Sequence, residues 1–201
     1  DLLSVHASTW ERAVVQSTGQ APSDLNGVQL WYAPLDLLRT HEKAYRALLD
    51  ANESERAQRF LHDTDRERFV LGHGMLRVLL SRHLDRAPKE IVLSRGEFGK
   101  PFLDGAPLHF NLSDTKDAIL VGLSREPIGV DIETMCRRTD HERVADHYFT
   151  KREVASIAEA TDGKRRFLEL WTRKEAVLKA SGVGLMDDLH SLEVGEEHNT
   201  M

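Results

Sequence analysis

Residues 166–181 read RFLELWTRKEAVLKAS, and Gly182 follows. On a helical wheel Phe167, Leu170, Trp171 and Leu178 form one apolar stripe, with Lys174 inside it and Glu175 at its edge. The spacing predicts a helix from Lys164 to about Ala180, stopped at Ser181-Gly182 because glycine tolerates the left-handed residue that ends a helix. The same Arg-Phe opening recurs 98 residues earlier in RFVLGHGMLRVLLS, 68–81. There Phe69, Gly72, Leu76, Leu79, Leu80 and Leu84 fall near the spacing of one buried helix face. The echo hints at two related half-domains, although amphipathic helices resemble one another by periodicity alone.

Around these two helices the chain reads in blocks. Residues 1–26 are polar and irregular, an expected loose arm. VQLWYAPLDLL (28–38) reads as a strand broken at Pro34, and His41 to Arg86 as helix interrupted near His62–Thr64. Short strands follow at IVLS (91–94), PFL (101–103), LHFNLS (108–113), AILVGLS (118–124) and IGVDIE (128–133), separated by Gly and Pro turns. A second helical region spans roughly 140–160. Strand, helices, several strands and helices again make an α+β layout, because βαβ alternation is missing.

Composition bounds the function. The chain has 201 residues, 40% hydrophobic and 30% charged, enough apolar material for a proper core. The longest apolar run, Ala118 to Leu123, falls far short of the roughly 20 residues of a membrane span. The first residues lack the basic and apolar stretches of a secretory signal. Cys136 is the single cysteine, so no intrachain disulfide can form and a reducing, cytoplasmic setting is expected. A net charge of −6 argues against nucleic acid as partner. Yet Arg56 to Lys100 hold 10 basic residues against 6 acidic ones, which suits a small phosphorylated ligand or an acidic protein. Ordinary helix-surface charge would read the same way.

Four stretches could carry chemistry. In GVDIE (129–133) strand alternation puts Asp131 and Glu133 on one face, where two carboxylates repel unless a cation lies between them. Hard oxygen ligands suit Mg²⁺, which takes one or two carboxylates and fills its shell with phosphate and water; a solvated strand face is the plainer reading. In 167–182, Lys174 within an apolar stripe either snorkels to solvent or marks a site. Glu175 and Lys179 are either part of that site or a helix salt pair. HFNLSDT (109–115) ends in small polar groups that can meet phosphate, or simply exit into a turn. FGKP (98–101) holds Lys100 on a rigid turn. The chain contains no GxxxxGK[ST] loop, no GxSxG elbow and no zinc spacing, and Gly72-His73-Gly74 lacks the third glycine of a dinucleotide site.

FGKP, HFNLS, GVDIE and WTRKEAVLKASGVGL, in this order and spacing, resemble the 4′-phosphopantetheinyl transferase superfamily in its longer, surfactin-synthetase-activating, pseudo-dimeric type. The similarity runs from about Leu48 to Leu185. It implies two similar α/β half-domains related by a pseudo-twofold axis, 1–126 and 127–201. It also implies Mg²⁺-dependent transfer of the phosphopantetheine arm of coenzyme A to a serine of an acyl, peptidyl or aryl carrier protein, releasing 3′,5′-ADP. By resemblance Asp131, Glu133 and Glu175 hold Mg²⁺, and Glu175 or water on it is the base. Lys179 stabilises the transferring phosphate, and Lys174 reaches the pyrophosphate or orients the site. Arg68, Lys100 and Ser113 match coenzyme A-binding positions, with Arg56 a weaker candidate beside Arg68 for the 3′-phosphate. Duplication in one chain implies a monomer with a groove for an acidic carrier protein. Two departures stand out: Ser113-Asp114 replaces the Ser-His of many relatives, and the chain ends soon after GVGL, where relatives continue for several strands, so the C-terminal sheet is expected to be short, truncated or not fully represented. A coenzyme A pyrophosphatase and a silent coenzyme A or carrier-protein binding module are the alternatives.

Overall fold

The segment 118–124 alternates poorly because both of its faces are covered: Ala118, Ile119, Val121 and Leu123 are all buried, the pattern of a central strand. It forms β5 (Ala118–Ser124) in a three-stranded antiparallel sheet of order β1-β5-β4, with β1 Gln29–Pro34 and β4 His109–Asp114 as its edges. Trp31 and Leu112 both pair with Val121. β4 turns into β5 over Thr115, whose Oγ1 accepts from the backbone N–H of Asp117 and Ala118. The structure, a computed structural model, describes residues 27–182, 189–194 and 199–200.

Pro34 ends β1, and α1 (Leu35–Arg39), α2 (Glu42–Leu48) and α3 (Ala51–Gln58) follow. The turn read near 62–64 is the start of α4 (Asp63–Leu84), a 22-residue helix. Its Leu71, Met75, Leu76, Leu79 and Leu80 join the sheet residues in one buried core, and Gly72 lies against Leu112 of β4 and Ile119 of β5. Gly74 is required here: a Cβ would sit 2.4 Å from the Cβ of Tyr45 on α2. Arg77 of α4 is wholly buried, yet matched, since it donates to Glu53, Asp50 and the carbonyls of Pro88 and Ile91. A buried cation left without such partners would be costly.

A second core gathers α5 (His141–Tyr148), α6 (Lys151–Glu159) and α7 (Gly163–Ser181) around Phe149, Phe167, Leu170 and Leu178. Phe149 and Phe167 stack with centroids 5.3 Å apart. α7 ends where the sequence placed its stop, with Gly182 at φ 72°. The two stretches of the internal echo fall on α4 and α7, the longest helices described. The α+β expectation therefore holds.

Some strands differ from their reading. IVLS and PFL shrink to β2 (Ser94–Arg95) and β3 (Pro101–Phe102), a small hairpin. IGVDIE carries no ladder at all. Its N–H groups are met by side chains: Asn111 Oδ1 accepts from Val130 N–H and Ser113 Oγ from Ile132 N–H. Beyond α7, β6 (Glu193–Val194) pairs with β7 (Asn199–Thr200). The arm 1–26 and the GVGL stretch past Gly182 lie outside the described residues. No described helix is long and apolar enough to cross a membrane.

Candidate active site

Segment 128–133 runs between the β4–β5 hairpin and α7, and two glycines make the fit possible. Gly122 on β5 leaves the space that Ile128 and Val130 fill, since a Cβ there would lie 2.6 Å from Val130 Cγ1. Gly129 meets the helix backbone itself: a Cβ would come within 1.9 Å of the Ala176 carbonyl oxygen and 2.4 Å of the Ala180 nitrogen. With Asn111 and Ser113 holding the other side, the acidic segment is brought against the face of α7 that bears Glu175 and Lys179.

Asp131 is the centre of the arrangement. Its Oδ1 accepts from Lys179 Nζ at 2.6 Å and from Ser113 Oγ at 2.8 Å. Lys179 Nζ also reaches Ser113 Oγ and the Val130 carbonyl. The other oxygen, Oδ2, is buried and has no hydrogen-bond partner, which is costly for a carboxylate unless a ligand completes it. Glu133 pairs with Arg137. Burial, with the nearby Asp131 charge, raises the Glu133 carboxyl above the usual range despite Arg137. Burial and the charges of Asp131 and Glu133 likewise raise Glu175, while Lys179 and Arg137 pull the other way. Asp131 thus acts on both Glu133 and Glu175, each also under the pull of a nearby cation, and among the described residues no three acidic, His or Cys groups are gathered at metal-binding separation.

Beside this cluster a cavity of about 390 Å³ opens between α4, β4 and the β2–β3 hairpin. Arg56, Arg68, Arg95 and His73 line it with Asp65 and Asp114. Phe69 forms an aromatic wall, with the His73 ring 4.0 Å away and the Arg56 guanidinium 5.1 Å over it. A cationic and aromatic cavity fits a phosphorylated, ring-bearing ligand. A second cavity of about 400 Å³ shares Arg56, Arg95 and His73 with it. Asp114, the departure from the Ser-His pattern, points its Oδ2 at Arg68 Nε, 3.0 Å away. Burial raises its carboxyl, against the pull of Arg68 and then of Lys179, and the Lys179 influence ties the cavity to the carboxylate cluster. Burial lowers Arg56, assisted by Arg95.

Lys100 and Ser113 are in place but engaged. Lys100 Nζ donates to the carbonyls of Ile128 and Ala180 at 3.2 and 3.1 Å, and burial lowers its basicity. Lys174, expected to reach the pyrophosphate or orient the site, is engaged in the second core. Its side chain is only 1% exposed and pairs with buried Glu153 at 2.9 Å. Its Nζ also donates to the carbonyls of Leu189 and Leu192. The stripe that buries Leu170 and Leu178 buries Lys174 with them, inside the second core and away from Asp131. Sequence reading missed Asn111, Gly129 and Arg137. Arg137 had a signal, two adjacent arginines following an acidic pair, whereas Asn111 had none apart from its place in HFNLS.

The sequence agrees with known proteins over both halves. The description "4′-phosphopantetheinyl transferase superfamily" matches residues 127–200, and "4′-phosphopantetheinyl transferase, N-terminal" matches residues 38–125. The chain is 33% identical over 165 residues to the 4′-phosphopantetheinyl transferase HetI of Nostoc sp., covering 79% of this chain and 70% of that protein. It is 28% identical over 166 residues to the 4′-phosphopantetheinyl transferase Sfp of Bacillus subtilis, covering 81% and 73%. With the 4′-phosphopantetheinyl transferase AcpT of Salmonella typhimurium identity is 43% over 110 residues, covering 53% and 56%.

Proposed function

The chain belongs to the 4′-phosphopantetheinyl transferase superfamily, and from that premise we propose how its residues carry the reaction. The enzyme moves the phosphopantetheine arm of coenzyme A to a carrier protein: the serine oxygen forms a bond to the phosphorus bearing the arm, and the bond to 3′,5′-ADP breaks. Such displacements are catalysed chiefly by positioning and by neutralising charge on the phosphates.

Glu175 is the group for the serine proton. It sits on a rigid helix, half-buried, with no hydrogen bond or ion pair of its own among the described residues, and its raised carboxyl is the better base for that. Lys179, fixed through Asp131 and Ser113, supplies a cation to the transferring phosphate. Arg68 and Arg56 bind the 3′-phosphate in the cationic cavity, and Lys100 holds its wall to α7. Ser113 acts through Asp131, which it orients.

The residues present fit Mg²⁺. Asp131 Oδ2 is a buried, unpartnered hard oxygen, and Mg²⁺ needs only one or two carboxylates when phosphates complete its shell. Asp131 would hold it, with Glu133 and Glu175 as the further oxygens. Bound there, the ion would offset charge on the diphosphate. That orphaned oxygen, beside Glu175 and Lys179, is the observation that carries the reading.

The two cores support the division into half-domains 1–126 and 127–201; the reading is completed by a cytoplasmic monomer with a groove that takes an acidic carrier protein. Intact-protein mass spectrometry of an apo carrier protein incubated with this chain, coenzyme A and Mg²⁺ tests the whole. The expected result is a gain of one phosphopantetheinyl group, lost with EDTA. Release of 3′,5′-ADP without any carrier would instead favour the pyrophosphatase, and bound coenzyme A without reaction the silent module.

A further inference from the structure

Arg137 has no part in the reaction as derived so far, yet the fold builds it into the site with care. It stands on a short turn whose backbone N–H bonds to the Thr134 carbonyl at 2.9 Å. Its Nε donates to Thr139 Oγ1 at 3.0 Å, and its guanidinium lies 5.4 Å over the ring of Trp171, one helical turn before Glu175. The remaining donor edge is on Glu133. A guanidinium held on three sides is aimed, because its planar fork keeps few other options once the stack and the Thr139 bond are made.

The charges around it matter as much as the contacts. Asp131, Glu133 and Glu175 face Lys179 and Arg137, so with all three carboxylates ionised the cluster keeps one negative charge. Without Arg137 it would keep two, the charge that a divalent cation neutralises. Lys179 is shared among Asp131, Ser113 and a carbonyl, and it leaves Asp131 Oδ2 bare. Arg137 instead takes the Glu133 carboxylate for itself, and no group of three oxygen donors is gathered among the described residues.

We infer that Arg137 is a further positioning residue of the site: it holds Glu133 away from the metal position and thereby sets how tightly the free enzyme binds a divalent cation. This rests on the Mg²⁺ reading above. A metal arriving with the diphosphate must draw Glu133 from Arg137, so cation and substrate bind better together than the cation binds alone.

The test is calorimetric titration with Mn²⁺ alone, without coenzyme A, on the full chain and on Arg137→Gln and Arg137→Lys. Arg137→Gln should bind Mn²⁺ about tenfold more tightly, the effect of one solvent-attenuated unit charge removed from the cluster, while Arg137→Lys, which keeps the charge but loses the fork and the stack, should fall between the two. A merely structural role would not sharpen metal binding. Unchanged or weaker binding by folded Arg137→Gln, beside a wild type that binds, overturns this inference and leaves the metal reading standing. No binding by the wild type overturns both. A second readout needs no substitution at Arg137: Mg²⁺ should change the tryptophan emission of the wild type as the Glu133 carboxylate leaves the guanidinium stacked on the Trp171 ring, and Trp171→Phe should abolish that change. An emission indifferent to Mg²⁺ in a wild type that binds Mn²⁺ overturns the displacement.

Discussion

Glu175, the proposed base, shows how a residue placed for chemistry differs from a stabilising one. Its carboxyl is raised by burial and by Asp131 and Glu133, so the folded protein disfavours the ionised form. A carboxyl with a raised folded value contributes its stability below the unfolded value, and that contribution is lost as pH rises through the folded one. At pH 8 the ionised side chain therefore works against the fold. Glu175→Gln should raise Tm by about 1–3 °C at pH 8 while abolishing transfer. The gap should close as pH falls toward the carboxylate range, as differential scanning fluorimetry across pH would show. Lys174 makes the opposite case. It lies deep in the second core with Glu153, and helical periodicity had already put it in the buried stripe.

The elements differ in how far the sequence reveals them. α4 and α7 are legible because their apolar spacing and the Gly182 stop are local facts, and β5 because its apolar run is bounded by turn residues. Segment 128–133 reads as a strand, since any extended chain alternates, yet its partners are the side chains of Asn111 and Ser113, 19 residues earlier in the chain. Local pattern carries no trace of that. The pairing of Asp131 with Lys179 was likewise hidden, because it depends on Gly129 resting on the helix backbone. Gly129→Ala tests this docking. Its Cβ would strike the Ala176 carbonyl, which no side-chain rotation relieves, so 128–133 must lift off α7. Transfer should fall by about 10²-fold or more, the cost of a misplacement near 1 Å. The helical circular dichroism should persist, because both cores lie elsewhere.

At the scale of the whole molecule, the cavity belongs to the first core and the catalytic helix to the second. Lys100 spans them, donating from the β2–β3 turn to the carbonyls of Ile128 and Ala180. Lys100→Met leaves both carbonyls without that donor, at a cost of about 1–3 kcal/mol. Urea unfolding should show that loss, and steady-state kinetics a higher apparent KM for coenzyme A, because the cavity wall at Gly99 and Pro101 would no longer be tied to α7. The two sides of the joint at 128–133 are also mechanically unequal. Toward α7 it is backbone pressed on backbone at Gly129; toward the hairpin it hangs largely on side-chain bonds from Asn111 and Ser113. The backbone contact resists closer approach and the bonds of Lys179 to Asp131 and the Val130 carbonyl resist separation, so the segment is held to α7 in both directions. Asp131 keeps its register with Lys179 through their ion pair, so slack at this joint falls on the hairpin side and not between the carboxylate and the helix.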